Sequence, residues 1–335
     1  MTSMIRLGTA ELETLCLEAA LASGASTGAA ASLASATLAA EVEGNRAVGL
    51  DHLPFYLDAL REGRIDGVAE PTIQHPLPAI IHVDAHGGTA HLGYDRAHEM
   101  LVHATRAYGI GLFAQKNAYT CGSLGTFVQR LADEGLVALA ASNGPALMTV
   151  PGGRRPVYCT NPLAFAAPVA DGPPLVIDQS SSATAFASIR RAAQEGHEIP
   201  EGWAVDSEGY PTTEPTEAMR GALLAFGGER GANIALMVEV LAAGISGANW
   251  SLDAPSFASG SQNPGTGLFV LALDPKLFDP GFESRMRDQV ERLQTEYGVY
   301  VPGQGKASMR ERTAASGLAV ERAVHDRIAE AAGRT

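Results

Sequence analysis

The order of the apolar segments constrains the fold more than any other feature of this sequence. Five runs have the length of buried β-strands: "IGLFAQKN", "LVALAASN", "LAFAAPV", "PPLVIDQSS" and "TGLFVLALDP". Helical spacing separates the first two, whereas a Pro/Gly turn alone joins the third to the fourth. A doubly wound parallel sheet needs a helix between successive strands. The order therefore predicts a mixed α/β protein and argues against a doubly wound sheet.

Alanine-rich segments predict a helical layer at the N-terminus. Residues 9–43 are predicted to form two helices, the first ending at Gly24 and the second beginning near Ser26. A third helix begins with Pro54 in its first turn. Further along, "GANIALMVEVLAAGISGA" predicts a buried helix, and "FESRMRDQVERLQTEYG" predicts an amphipathic one.

Composition argues against several classes of function. The net charge is −13 and the basic residues form no stripe, so nucleic-acid binding is not expected. No apolar run reaches the roughly 18–20 residues that span a bilayer, and the N-terminus lacks the pattern of a secretory signal. The three cysteines, Cys16, Cys121 and Cys159, are widely spaced and predict a reducing cytoplasm. We interpret Cys121 and Cys159 as packing residues, because no histidine is paired with them by spacing.

Two short motifs suggest chemistry that their context does not support. "GIGLFA", from Gly109, matches the dinucleotide fingerprint, but a helix precedes it and the motif itself is predicted to be the strand. That is the reverse of the required order. "HVDAH" places His82, Asp84 and His86 on one side of a strand without fixing a fourth ligand. We favour a strand that runs into a Gly-Gly turn over a zinc site, and no metal is expected.

Longer stretches resemble the malate/L-lactate dehydrogenase family of NAD(P)-dependent oxidoreductases. They are "LPFYLDALREGRIDG", "TNPLAFAAP", "PPLVIDQSSS", the block from "IPEGWAVD" to "LAAGISGA", and "YVPGQG". Together they extend from about residue 9 to residue 305, and the block at 199–248 is the most specific. Its "GERGANIALMVE" segment and the "GANWS" that follows are most similar to the branch that reduces Δ1-piperideine-2-carboxylate and Δ1-pyrroline-2-carboxylate.

The resemblance implies an architecture as well as an activity. The fold expected is a non-Rossmann nucleotide-binding fold with a mixed, largely antiparallel sheet and a helical N-terminal layer. The expected division is a helical substrate and dimerisation layer in 1–75, joined by the C-terminal helices of 281–335, a mixed α/β segment in 76–130, and a nucleotide-binding domain in 131–280. The cofactor expected is NADPH or NADH, the substrate is a small molecule, and the assembly is a homodimer with the active site near the subunit boundary.

By the same resemblance, one set of residues is expected to contact the nucleotide. These are Ser142, Asn143, Thr160, Asp178, Gln179, Ser180, Arg230, Pro302 and Gly303. Hydroxyls and loop N–H groups can hold ribose and phosphates, and Arg230 supplies a cation for the pyrophosphate or a 2′-phosphate. The usual family residue at 230 is lysine, so the charge is kept with a different geometry. A purely structural role for Arg230 stays open.

The family's catalytic positions are altered in two places. The family pattern Ser-His-Gly-x-x-Arg reads "AVGLDH" at 47–52, and the pattern Asn-Ser-x-His-x-Gly reads "NAYTCG" at 117–122. Val48 and Thr120 therefore stand where the family has histidines. His52 replaces the arginine that is expected to clamp the substrate carboxylate.

These replacements favour reduction of a C=N bond. Reduction of a ketone needs an acid to protonate the developing alkoxide, and such a group contributes roughly 10²–10⁴ in rate. A protonated iminium accepts hydride without a proton in that step, and the retained Asp178 can hold its charge. His52 either clamps the carboxylate as imidazolium or acts as a relocated acid/base, or it has a structural role, capping the helix of residues 54–62 or packing at a domain seam. Asp178, His52 and Thr120 are the expected catalytic residues. The substrate pocket is expected to include His52, Val48, Tyr119 and Thr160. Tyr119 and Thr120 could also be plain loop residues.

The sequence thus supports one main hypothesis and two alternatives. The main hypothesis is an NAD(P)H-dependent reductase of a small cyclic imine carboxylate. The first alternative is a 2-hydroxyacid or ureidoglycolate-type dehydrogenase with a relocated acid/base. The second is a family member that has lost redox activity and acts as a lyase, a dehydratase or a nucleotide-binding protein.

Overall fold

A computed structural model describes residues 3–334 as helices arranged around one large sheet and two small ones. The helices are α1 (Thr9–Ala22), α2 (Thr27–Val42), α3 (Leu53–Arg61), α4 (Ala90–Tyr108), α5 (Gly125–Asp133), α6 (Phe186–Glu195), α7 (Pro215–Ala218), α8 (Glu229–Glu239), α9 (Phe282–Thr295), α10 (Gln304–Ser316) and α11 (Arg322–Ala331). The strands are β1 (Met4–Leu7), β2 (Thr72–Leu77), β3 (Ile80–Asp84), β4 (Ile110–Ala118), β5 (Val137–Ser142), β6 (Met148–Thr149), β7 (Leu163–Ala167), β8 (Leu175–Gln179), β9 (Ala204–Val205), β10 (Pro211–Thr212), β11 (Ala222–Leu224), β12 (Thr266–Leu273) and β13 (Leu318–Glu321).

The large sheet has seven strands in the order β2-β3-β4-β12-β5-β7-β8. Only β3 and β4 pair in parallel, and the other neighbours are antiparallel. Its main core includes side chains of α4 and α5, among them Leu101, Phe127 and Leu131, packed with apolar residues of the strands. The sheet confirms the predicted mixed, largely antiparallel and non-Rossmann fold. It also joins strands from both sides of residue 130, so the predicted domain boundary there runs through the sheet.

The predicted helical layer has its own core. Buried residues of α1, α2 and α3 pack with Leu318, Val320 and Ile328 from the C-terminal segment, and β1 pairs antiparallel with β13. A second, smaller unit is built on the sheet β10-β9-β11-β6, with a core that includes Met148 and Ile189 of α6. Side chains of the helical layer and of this small unit contact each other near the site described below.

Gly109 confirms that "GIGLFA" is not a nucleotide-binding turn. It ends α4 in the left-handed region, with φ of +78°, and β4 begins at the next residue. A glycine adopts this conformation without the steric cost that a Cβ imposes. The glycines of the motif therefore lie at a helix end and within a strand.

The segment predicted to be a buried helix is buried on one face only. Residues Glu229–Glu239 form α8, which continues as a π-helix over Val240–Ile245. Leu236, Met237, Val240 and Ile245 are each between 42% and 55% exposed, while Ala235 and Val238 on the other face are fully buried. The predicted burial therefore holds for one face and is wrong for the other. Apolar residues surround the whole helix, but the rest of this chain packs against only one side of it.

In residues 3–334, no helix combines the length and the apolar character needed to cross a bilayer.

Candidate active site

The sheet topology brings the sequence-predicted site segments to one edge. Strands β3, β4, β5 and β8 end there, and the antiparallel strands β7 and β12 begin there. The loops at this edge carry residues 117–122, Ser142, Thr160 and the 178–182 turn. Positions far apart in the sequence therefore share one edge of the sheet, where the helical layer and the small unit also meet them.

Asp178 is anchored at the N-terminus of α5. Its Oδ2 atom accepts a hydrogen bond of 2.8 Å from the backbone N–H of Gly125 and one of 3.4 Å from the hydroxyl of Ser123. An acidic side chain at this position is stabilised by the helix dipole. These bonds engage one carboxylate oxygen, which leaves the other available to a ligand.

Thr120 lies over a buried tyrosine. The hydroxyl of Tyr56, from α3, faces Thr120 and makes no hydrogen bond within the described residues. A Cβ at Gly122 would lie 3.4 Å from this hydroxyl and 3.3 Å from Nε2 of His91. Gly122 has a φ of +63°, so both the conformation and the space require glycine here.

The hydroxyl of Tyr119 is bonded within the protein and does not stand free for a substrate, in contrast to the predicted role. Its ring is 3% exposed, and its hydroxyl donates to the carbonyl of Phe257 at 2.9 Å while accepting from the guanidinium of Arg64 at the same distance. With both its donor and an acceptor position occupied by the protein, the side chain fastens the 117–122 loop to the 254–262 loop. These contacts agree with the alternative that Tyr119 is a structural residue of the loop.

His52 occupies the position before α3 and is half-buried. Its ring contacts Phe55 at 5.4 Å and Tyr56 at 5.1 Å between centroids, and its side chain makes no cap hydrogen bond. Burial, together with the positive charge of Arg190, lowers the pKa of His52 to about 4. The low pKa disfavours the imidazolium form that the predicted clamp requires. The side chain does not cap α3, and its contacts agree with the alternative of packing at a domain seam.

Val48 ends a short 3-10 helix over Arg46–Val48. The loop that follows is held by Glu41, whose buried Oε2 accepts from the backbone N–H of Leu50 at 2.9 Å. A Cβ at Gly49 would come within 2.5 Å of this carboxylate oxygen. The loop that carries Val48 and His52 is thus fixed to α2 by one buried acid.

Backbone hydrogen bonds connect the predicted nucleotide residues after β8 with Thr160 and with the loop before α8. The backbone N–H of Ser181 donates to the carbonyl of Thr160 at 2.7 Å, and the N–H of Phe226 donates to the carbonyl of Ser181 at 3.0 Å. Gln179 is exposed, and Ser180 lies beside it with its hydroxyl directed to the carbonyl of Ser182. The Ser-rich turn therefore lies between Thr160 and the loop that leads into α8.

Arg230 lies in the first turn of α8, after two glycines with positive φ. A Cβ at Gly227 would meet nothing within 4 Å, so open space lies beside this loop. Arg230 is exposed and makes no ion pair among residues 3–334. A helix N-terminus, unpaired N–H groups and a cation together fit an anionic phosphate group.

Ser142 and Asn143 bond to the protein itself. The hydroxyl of Ser142 donates to the carbonyl of Gly267 at 2.8 Å, and Asn143 bonds the backbone of Gly267 and of Asn249, also at 2.8 Å each. Both side chains are buried. They fix the loop after β5 against β12, and a ligand at this loop would meet backbone atoms or neighbouring side chains.

Pro302 and Gly303 lie along the outer edge of β8. The carbonyl of Pro302 accepts from the N–H of Val176 at 3.3 Å, and a Cβ at Gly303 would approach the carbonyl of Pro174 to 2.5 Å. Gly303 has a φ of +103°. These residues therefore cover the outer edge of β8 at Val176, two residues before Asp178.

The remaining candidates are held by other contacts. Nε2 of His82 bonds the carbonyl of Ser246, and Asp84 accepts from the N–H of His86 and the amide of Asn117, each at 2.9 Å. In the part of the chain that the structure describes, no group of three or more His, Cys, Asp or Glu side chains could hold a metal ion. The three cysteines are buried and unpaired, which agrees with the interpretation of Cys121 and Cys159 as packing residues, and burial raises the pKa of Cys121 to about 12.

Sequence reasoning missed a buried acid that organises this edge. Glu239, at the junction of α8 and the π-helix, accepts from Asn161 at 2.7 Å and from both the N–H and the hydroxyl of Ser251. Asn161 itself has a φ of +34°. The insertion of a π-helix at a functional region is a recurring feature, and an intrahelical glutamate within an apolar run was its sequence signal.

Sequence reasoning also missed Arg190 of α6. Its guanidinium carbon lies 5.3 Å from the ring centroid of Phe55 in α3. Nothing in the surrounding sequence connects it with His52, because α3 and α6 come together only in the tertiary fold.

Comparison with known proteins agrees with this architecture. A solved structure described as Δ1-piperideine-2-carboxylate reductase from Pseudomonas syringae pvar. tomato superimposes with a TM-score of 0.93 at 34% identity, covering 98% of this chain and 99% of that one. Residues 7–329 match the malate/L-lactate dehydrogenase family. The chain belongs to this family of oxidoreductases.

Two curated relatives differ in the substrate that their names state. A (2R)-3-sulfolactate dehydrogenase (NADP(+)) from Chromohalobacter salexigens is 38% identical over 329 residues, 98% of either chain. A Δ1-pyrroline-2-carboxylate/Δ1-piperideine-2-carboxylate reductase from Pseudomonas putida is 35% identical over 322 residues, covering 95% of this chain and 94% of the relative. The chain is thus similar to enzymes named for C=N substrates and to one named for a hydroxyacid.

Proposed function

We propose that this protein is an NAD(P)H-dependent reductase of a small cyclic imine carboxylate of the piperideine- or pyrroline-2-carboxylate type. One observation carries the choice between C=N and C=O substrates. Val48 and Thr120 cannot act as proton donors in the manner of histidine, and burial lowers the pKa of the two nearby imidazoles, His52 and His91, to about 4. Among the described residues, the two imidazoles near Thr120 are therefore poor proton donors near pH 7, because they are largely unprotonated there.

An iminium substrate suits such a site. When bound, the nicotinamide cofactor supplies the hydride. Asp178 is proposed to hold the positive charge of the iminium through the carboxylate oxygen that Gly125 does not engage. Thr120 and Val48 are proposed to line the pocket, with Val48 excluding water from the reacting carbon and Thr120 offering a hydroxyl.

The cofactor is proposed to be NADPH or NADH, bound on the surface that runs from Thr160 through the 178–182 turn to Arg230. Arg230 and the N-terminal N–H groups of α8 would hold phosphate oxygens, and Thr160, Gln179 and Ser180 would meet the sugar or the amide. Ser142, Asn143, Pro302 and Gly303 are proposed to shape the walls of this surface through their backbone. The sulfolactate dehydrogenase among the relatives favours NADPH.

We propose further that the protein is cytoplasmic and forms a homodimer. Three buried, unpaired cysteines support a reducing compartment. The half-exposed apolar face of α8 and the π-helix supports burial against a second copy.

The role of Asp178 is tested by Asp178→Asn. The amide oxygen still accepts from Gly125, so α5 keeps its N-terminal contact while the charge is lost. We expect wild-type protein to oxidise NADPH with Δ1-piperideine-2-carboxylate, and the variant to lose about a hundredfold in kcat. Steady-state absorbance at the nicotinamide band measures both. Turnover within twofold of wild type in the variant would remove Asp178 from the mechanism.

The alternative dehydrogenase has one observation in its favour, the sulfolactate relative at 38% identity. It requires a proton donor other than His52, whose pKa is low for that task. Reduction of a keto acid panel in the same assay distinguishes it from the imine reductase.

A further inference from the structure

Arg190 is a half-buried cation without an anionic partner. Among residues 3–334, no carboxylate lies within 4 Å of its guanidinium. Its contact is the face of Phe55, at 5.3 Å from the ring centroid. An arginine on an aromatic ring keeps its N–H donors free at the edge of the guanidinium plane, where they can form two bonds with a carboxylate.

Four other cations, carried by the segments around α3, by β4 and by α5, are engaged. Arg64 pairs with Glu62 at 2.7 Å, and Lys116 lies 3.6 Å from Asp84. Arg46 pairs with Asp51 and Glu321. Arg130 pairs with Asp95. Arg190 is therefore a half-buried cation beside α3 that no carboxylate of residues 3–334 pairs with.

A chain of contacts connects Arg190 with the proposed reaction centre. Phe55 contacts His52, and His52 contacts Tyr56. The hydroxyl of Tyr56 faces Thr120. Three residues after Thr120, the hydroxyl of Ser123 donates a hydrogen bond to Asp178. The positive charge of Arg190 and the negative charge of Asp178 thus lie at the two ends of this chain of contacts.

This polarity matches a substrate with separated charges. An iminium 2-carboxylate carries a positive charge at its nitrogen and a negatively charged carboxylate group attached to the adjacent carbon. We propose that Arg190 binds the substrate carboxylate, so that the small unit, through α6, supplies the anion-binding group beside Phe55 of α3. This inference rests on the proposed function and adds the residue that selects for a 2-carboxylate.

The neutral state of His52 is consistent with this assignment. A second cation beside Arg190 would be repelled, and burial already disfavours the charged imidazole. The neutral ring can contribute one N–H donor to the same carboxylate, while the ionic interaction comes from Arg190.

The test measures binding without turnover. Pyrrole-2-carboxylate is a planar, unreactive anion, and its affinity for the NADP⁺-loaded protein is measured by titration calorimetry. We expect Arg190→Gln to weaken binding by about tenfold or more, as a charge-assisted hydrogen bond of this kind predicts. Arg190→Lys should recover part of the loss. Pyrrole-2-carboxamide, which is neutral, should bind wild type and Arg190→Gln with equal, weak affinity.

The matched control is Arg191→Gln, which removes an exposed neighbouring arginine of the same helix. It should bind pyrrole-2-carboxylate as the wild type does, and all variants should keep the wild-type melting temperature and NADP⁺ affinity. Equal affinity of wild type and Arg190→Gln for the anion, or no binding by either, would overturn the assignment. The binding measurement does not depend on turnover. A protein that binds pyrrole-2-carboxylate through Arg190 but does not reduce the imine would contradict the proposed function and not the assignment of Arg190.

Discussion

At the scale of single residues, burial changes what a residue type can do. His52 stands in a position that suggests a clamp, but Phe55, Tyr56 and Arg190 surround it with apolar surface and positive charge. The sequence identified the position and the lost arginine. It could not predict the protonation state, because that depends on α6, which the fold brings from a distant part of the chain.

His91 predicts how stability depends on pH. Its Nδ1 is buried without a hydrogen bond, and burial lowers its pKa from 6.5 to about 4. Between these values the unfolded chain binds more protons than the folded one, so stability present above pH 6.5 is lost as the pH falls towards 4. We expect His91 alone to lower the free energy of unfolding by about 2 kcal/mol when the pH falls from 7 to 5.

Urea denaturation of the wild type and of His91→Gln at both pH values measures this contribution. The variant should lose less stability on acidification than the wild type. His103→Gln, at an exposed position of the same helix, is the matched control and should follow the wild type. An identical loss in wild type and His91→Gln would show that His91 takes up its proton without penalty.

At the scale of elements, sequence patterns predicted which segments form helices and strands better than which faces are covered. The "GANIALMVEVLAAGISGA" run is apolar on all sides, which is typical of a helix buried in a large core. The chain covers one side, and Leu236, Met237, Val240 and Ile245 remain half-exposed. Which partner surface covers a helix is a tertiary or quaternary property that periodicity does not contain.

This face predicts the oligomeric state. If it is buried in a homodimer, sedimentation equilibrium should give about twice 34.8 kDa, and Leu236→Glu should shift the protein towards monomer, because a buried unpaired charge is costly. Leu277→Glu, at a 64% exposed position outside this face, is the control and should leave the mass unchanged. A monomeric wild type at micromolar concentration, or a dimer that Leu236→Glu leaves intact, would contradict the prediction.

At the scale of the whole molecule, the sequence predicted the mixed sheet but not its strand order. β12 lies at the centre, between β4 and β5, although it comes near the end of the chain. That pairing sets the edge at which Thr120, Thr160 and Asp178 meet. Local turns such as the one between β7 and β8 were readable, whereas long-range pairing depends on how the strands fit together and has no local signal.

The same edge explains why the predicted site residues came from distant segments. Resemblance placed Asp178 and Thr120 in one site, and the topology supplies the physical reason. Arg190 and Glu239 escaped prediction, because their roles arise from contacts across the site and within a buried network.

The most direct test of the account is the ratio of kcat/KM for Δ1-piperideine-2-carboxylate to that for pyruvate, measured with NADPH between pH 6 and pH 9. A site without a histidine acid but with a carboxylate for the iminium predicts a ratio of at least about a hundred in favour of the imine, since the missing acid costs ketone reduction roughly 10²–10⁴. Reduction of pyruvate with equal efficiency would contradict the account, because a proton donor would then have to act where Val48 and Thr120 stand.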